Sequence, residues 1–147
     1  MPVTECYLDT SVLIKLFVDE KKSTEVENFA AEIDRLIISR LSTLEWHCAM
    51  ERRFRAGTFS ASYLRLAKQE FTRQIAEGYF QILAVSDAQF SEAIGLLKAA
   101  KPTPLRALDA LHLSAALMTD AKRIATADKV MIDAAKRLGL KVENFLA

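Results

Sequence analysis

Cysteine, proline and glycine are all scarce in this chain, with 2, 3 and 4 of them in 147 residues. Two cysteines without C-x-x-C spacing exclude a disulfide framework and a thiolate zinc site. Cys6 and Cys48 each lie in an apolar segment and read as buried free thiols of a reducing compartment. Scarce Gly and Pro beside a 51% hydrophobic fraction exclude a disordered or linker-like chain. An excess of one charge is missing too. The net charge is +1, which argues neither for nor against nucleic acid, since a basic patch can sit inside a neutral total. No charged-then-apolar leader opens the chain, and no apolar run approaches the ~20 residues of a membrane span. The expectation is a cytoplasmic protein with no signal peptide and no membrane partner. No Gly-rich turn follows any apolar run, which removes the Rossmann and P-loop modes of phosphate binding.

What is present is regular alternation. Short apolar runs suited to buried strands fall at 6–8, 36–39, 79–85, 123–126 and 140–143. Helical spacing fills the intervals: a short helix opening after Asp9, then 24–34, 43–55, 61–77, 87–100, 105–118 and 128–138. Ser23 and Ser42 stand where N-caps belong, and Ser86-x-x-Gln89 has capping-box spacing. The helices at about 43–77 follow one another across Gly57 and form an αα-hairpin, the one departure from strict alternation. Residues 1–147 therefore read as one α/β domain with a mainly parallel sheet of four or five strands. A chain of this length buries roughly 68–70% of its extended surface and needs no metal or disulfide to fold.

Four acids fall inside apolar surroundings: Asp9, Glu45, Asp109 and Asp128. Each has a local explanation. Glu45 can close a capping box with Ser42, Asp128 can cap the helix that it begins, and Asp109 lies in a first helical turn. Asp9 can bond the amides of Ser11 and Val12 in its turn. Local roles do not explain why Asp9, Glu45 and Asp128 all follow strands, whose ends share one edge in a parallel sheet. Asp109, on a helix apolar nearly all round, can reach the same edge. Carboxylates ~4 Å apart repel by roughly 4 kcal/mol per pair at an effective dielectric near 20. Protons or a divalent cation relieve that repulsion, and hard oxygen donors without a Cys or His cluster suit Mg²⁺ or Mn²⁺. Such a pocket, with one or two ions, fits phosphodiester hydrolysis.

These residues resemble the PIN-domain family and, within it, the VapC-type toxin ribonucleases of bacterial and archaeal toxin–antitoxin pairs. The matching pieces are Tyr-Leu-Asp9-Thr-Ser11-Val-Leu-Ile-Lys, Ser-Thr-Leu-Glu45-Trp-His-Cys-Ala, Leu-Asp109-Ala-Leu-His112-Leu-Ser-Ala-Ala and Ile-Ala-Thr126-Ala-Asp128. They occur in order over nearly the whole chain, with the αα-hairpin after the second. The resemblance implies a three-layer α/β/α sandwich and a metal-dependent endoribonuclease. It implies that Asp9, Glu45 and Asp109 hold the principal metal, with Asp128 completing the pocket. Ser11 and Thr126 match small hydroxyl positions that bond the carboxylates. The expected partners are RNA, an antitoxin and a second copy of the chain.

His112, three residues after Asp109, shares its helix face and reads either as a base or as a packed histidine bonding a backbone carbonyl. His47 faces elsewhere on its helix and reads as structural. Arg52, Arg53 and Arg55 suit a helix C-terminus, with phosphate or antitoxin contact as the alternative. Lys15, Arg40 and Arg106 are the RNA-backbone candidates. A dehalogenase-type phosphatase needs a second Asp where Ser11 stands, which counts against that class. A non-catalytic interaction module on the same fold is the remaining alternative.

Overall fold

The computed structural model describes residues 2–147. The strands are β1 (Glu5–Leu8), β2 (Arg35–Ser39), β3 (Phe80–Leu83), β4 (Arg123–Thr126) and β5 (Lys141–Asn144). The helices are α1 (Thr10–Leu13), α2 (Ser23–Glu32), α3 (Arg40–Arg55), α4 (Ala61–Ala76), α5 (Asp87–Ala99), α6 (Ala107–Leu117) and α7 (Lys129–Arg137). A 3-10 turn over Ile14–Leu16 extends α1.

All the strand pairings are parallel, in the order β3-β2-β1-β4-β5. Successive side chains of a strand point to opposite faces, and both faces of this sheet are covered. Cys6 and Leu8 of β1, with Leu36 and Ile38 of β2, join the core beneath α1 to α4. Tyr7 and Ile37, the alternate residues, join the core beneath α5, α6 and α7. The result is a three-layer α/β/α sandwich. The chain winds outward from β1 through β2 to β3, crosses back to β4, and continues to β5. The winding therefore reverses between β1 and β4, where open α/β sheets place ligands at the carboxyl ends of their strands.

Helix starts depart from expectation in instructive ways. Ser23 does not cap α2; Lys22, in the left-handed region at φ 73°, occupies that position. The Ser23 hydroxyl instead donates to the Val18 carbonyl at 2.8 Å and accepts from the Glu20 amide at 3.0 Å, tying up the preceding turn. Helix α3 begins three residues earlier than Ser42 implies. Ser39 is its N-cap, and Ser42 returns a bond to the Ser39 amide as the third residue of the box. Glu45 is thereby released from capping. Ser86 caps α5 as the spacing suggests, but the Gln89 side chain turns inward and donates to the Leu111 carbonyl on α6 at 3.1 Å. Helix α3 stops at Gly57, whose φ of 81° suits glycine; its amide and that of Thr58 bond the Phe54 and Arg53 carbonyls and close the turn. No helix among the described residues is long and apolar enough to cross a membrane.

Candidate active site

A groove of about 1020 Å³ opens over the carboxyl ends of β1 and β4, and Asp9, Glu45, Asp109 and Asp128 all line it. Helix α3 contributes a stripe at helical spacing, with Leu41, Leu44, Glu45, Cys48, Ala49 and Arg52 facing inward. Helix α6 contributes its first turns from Arg106 to Asp109, then His112.

Asp9 is the most buried of the four acids, at 4% exposure. It caps α1, and its Oδ1 accepts from the Ser11 amide at 2.7 Å and from the Ser11 hydroxyl. Its Oδ2 accepts from Thr126 Oγ1 at 2.5 Å, across the β1–β4 boundary. Burial pushes its carboxyl above the usual carboxylate range, and the Ser11 and Thr126 donors offset this only in part. Both hydroxyls are themselves held: the Ala127 amide donates to Ser11 Oγ at 3.0 Å, and the Asp128 amide donates to Thr126 Oγ1 at 3.1 Å. The β4–α7 turn thus sets the two groups that set Asp9.

Glu45 is half-buried. Its Oε1 accepts from Thr10 Oγ1 at 2.7 Å and lies 2.5 Å from Nε2 of His112. Partial burial raises its carboxyl, but the His112 and Thr10 contacts outweigh burial and hold it below the usual range. Asp109 Oδ2 accepts from the Arg106 amide at 3.1 Å, closing the start of α6. Asp128 Oδ1 accepts from the Met131 amide at 3.1 Å, as the N-cap of α7. Among the described residues no protein donor meets Glu45 Oε2, Asp109 Oδ1 or Asp128 Oδ2.

The four expected acids therefore share one groove while each also holds protein donors. No group of three or more His, Cys, Asp or Glu among the described residues is arranged to hold an ion. The donor chemistry does suit a divalent cation. The set is all oxygen, three of the four carboxylates keep an undonated oxygen, and the buried Asp9 meets no cationic side chain at bonding distance.

Several other expectations change. His112 bonds no backbone carbonyl: its Nδ1 lies 2.6 Å from the Tyr7 hydroxyl and its Nε2 faces Glu45. Its position on the Asp109 face was readable from the i, i+3 spacing. Its partners were not, because they lie 105 and 67 residues away in the chain. His47 packs edge-on against Trp46, with ring centroids 4.9 Å apart, and is not among the groove residues. Lys15 lines the groove but is buried, and its ammonium binds Glu20 at 3.3 Å and the Lys21 carbonyl at 2.7 Å. Glu20 also pairs with Arg53 at 3.1 Å, so this basic pair braces the groove wall. Arg40 is exposed in the first turn of α3 and is not a groove residue, whereas the exposed Arg106 and Arg52 are. Cys6 is buried as expected, but Cys48 is exposed and lines the groove, because its place on α3 puts it beside Glu45 and Arg52.

Comparison with known proteins bears on the family and the fold. The PIN domain family model matches residues 6–137. The chain is 33% identical over 141 residues to Ribonuclease VapC46 of Mycobacterium tuberculosis (strain ATCC 25618 / H37Rv), covering 92% of this chain and 94% of that protein. Among solved structures, a toxin–antitoxin complex from Klebsiella pneumoniae superposes with a TM-score of 0.58, covering 84% of this chain and 86% of that one. At 20% identity the latter speaks for the fold alone.

Proposed function

The chain belongs to the PIN domain family, and from that premise we propose that it is a divalent-metal-dependent endoribonuclease, the toxin of a toxin–antitoxin pair. The observation that carries the reading is the shared groove: four carboxylates from four separate elements line one opening at the point where the winding of the sheet reverses. The ribonuclease name of a relative similar over nearly its full length supports the same class of reaction.

In this reading Mg²⁺ or Mn²⁺, as one or two bound ions, would supply Lewis acidity toward an attacking water and charge neutralisation at the scissile phosphate. Asp9, Glu45 and Asp109 would hold the principal ion and Asp128 would complete the site. Asp9 is the fixed member, clamped by Ser11 and Thr126 from opposite sides. Asp109 and Asp128 each spend one oxygen on a helix start, and the other would be available to an ion or to the attacking water. A carboxylate has about four lone-pair sites, so capping and ligation are compatible. Arg106, at the groove and exposed, contacts the RNA backbone, and Arg40 meets phosphates beyond the groove. Lys15, already bonded to Glu20, acts by holding that wall.

The resemblance to VapC-type toxins adds an antitoxin as partner and the cytoplasm as compartment. A homodimer belongs to the same reading, supported by an apolar face on α5 where Phe90, Ile94 and Leu97 are exposed at helical spacing. The non-catalytic module is the second reading, favoured by the protein hydrogen bonds that every one of the four acids makes. Cleavage of single-stranded RNA separates the two. The wild type is expected to cut with Mg²⁺ or Mn²⁺ and not in EDTA, while Asp9→Asn loses at least about 100-fold of that rate, the upper end of what loss of an outer-shell partner costs. Equal cutting by Asp9→Asn and wild type would remove the mechanism. No cutting under any metal would leave the module.

A further inference from the structure

A continuous hydrogen-bonded line runs from the core to the groove. It passes from the Tyr7 hydroxyl to His112 Nδ1 at 2.6 Å, and from His112 Nε2 to Glu45 Oε1 at 2.5 Å. Tyr7 lies on β1, immediately under the strand end that carries Asp9, and is 0% exposed. Its hydroxyl can donate to Nδ1, and the carboxylate at the other end of the line can only accept, which calls for a hydrogen on Nε2. A phenol donating to Nδ1 leaves the neutral imidazole with its hydrogen on Nε2, aimed at the carboxylate. Thr10 Oγ1 donates to the same oxygen at 2.7 Å. Two donors therefore converge on Oε1, while Oε2 meets none among the described residues. His112 is itself 5% exposed, so this is a built contact rather than a surface encounter. Tyr7 and His112 rings also pack at 5.9 Å between centroids, which limits rotation of the imidazole.

We propose that His112, oriented by Tyr7, is a positioning residue that locks Glu45 through Oε1 and commits Oε2 as the oxygen offered to a divalent cation. The inference rests on the metal-dependent reading above. It gives the chain a support shell in which β1 serves the site twice: Asp9 is a ligand at its end, and Tyr7, two residues earlier, orders the histidine that orders Glu45. A glutamate has three side-chain torsions, and ordering it beforehand removes that entropic cost from ion binding.

The test is the Mn²⁺ affinity of the metal-free protein, read by electron paramagnetic resonance of the free ion, together with the ¹⁵N spectrum of the His112 ring. In the wild type the ring is expected as the Nε2–H tautomer. Losing a support of this kind weakens metal affinity by about 10–100-fold. His112→Ala is expected to fall in that range. Tyr7→Phe is expected to fall less, with mixed tautomers. His112→Gln, whose amide can still donate to Glu45, is expected to regain part of the loss. If His112→Ala does not fold, His112→Gln and Tyr7→Phe carry the comparison. Wild-type Mn²⁺ affinity in the folded His112 variants, or a wild-type ring with its hydrogen on Nδ1, overturns the positioning role and leaves the metal site standing. A wild type that binds no Mn²⁺ overturns both.

Discussion

Asp9 combines a proposed role in the site with a cost to the fold. A carboxylate 4% exposed, without a cationic partner, is held above its usual pKa by burial. A raised folded pKa contributes stability below the unfolded value that is lost as pH rises through the folded one, so ionisation of this group weighs against the metal-free fold. Asp9→Asn removes the charge and can keep the bonds from Ser11 and toward Thr126. The variant is expected to melt at or above the wild-type temperature in EDTA at pH 7 while losing RNA cleavage, and a clearly lower Tm would show that the charge itself holds the turn. The thiols give a second residue-scale check. Burial pushes Cys6 up to about 12, whereas Cys48 is exposed at the groove. At pH 8 an aromatic disulfide reagent should titrate one thiol in the native protein and both in denaturant. The site was legible in sequence where donors are local: the Asp9 and Asp128 caps use amides two and three residues on. It was illegible where partners are remote, as for His112 between Tyr7 and Glu45, and where the surroundings of a residue depend on helix rotation, as for Cys48.

Helix starts do much of the positioning. Asp128 caps α7 and lines the groove, so the two roles can be separated by substitution. Asp128→Ser keeps a capping oxygen and drops the charge, while Asp128→Ala drops both. Chemical denaturation should place the alanine variant about 1 kcal/mol below wild type and the serine variant within about 0.5 kcal/mol. Both should lose cleavage to a similar extent if the charge serves the site. Retained cleavage in Asp128→Ser would confine the residue to capping. The order and type of the elements followed from periodicity, but three capping roles did not. Ser23, Ser42 and Gln89 are polar residues at cap-like spacings whose side chains bond elsewhere, because a neighbouring residue or a packed partner offers a better donor or acceptor. The shift at Ser42 matters most, since moving the box to Ser39 frees Glu45 for the groove.

At the scale of the whole molecule, the doubly wound sheet explains why acids so distant in sequence meet. Helices α1 to α4 cover one face and α5 to α7 the other, so β1 and β4 are left adjacent with their following turns diverging. Asp9 and Thr126 end those two strands and bond each other across the opening. Alternation of strand and helix in the sequence was enough to expect a parallel sheet, since each connection is long enough to cross over. Strand order was not readable from that pattern, because every central strand is apolar on both faces and nothing local ranks its neighbours. The same uniformity hid which strand ends face one another, and with them the geometry of the groove. The most direct test of the shared site is a crystal of this protein soaked in Mn²⁺ and measured at the manganese absorption edge. An anomalous peak in the groove, bound by Asp9 and by undonated oxygens of Glu45, Asp109 or Asp128, is the predicted result. Four carboxylates still at their protein donors, with no peak among them, would contradict it.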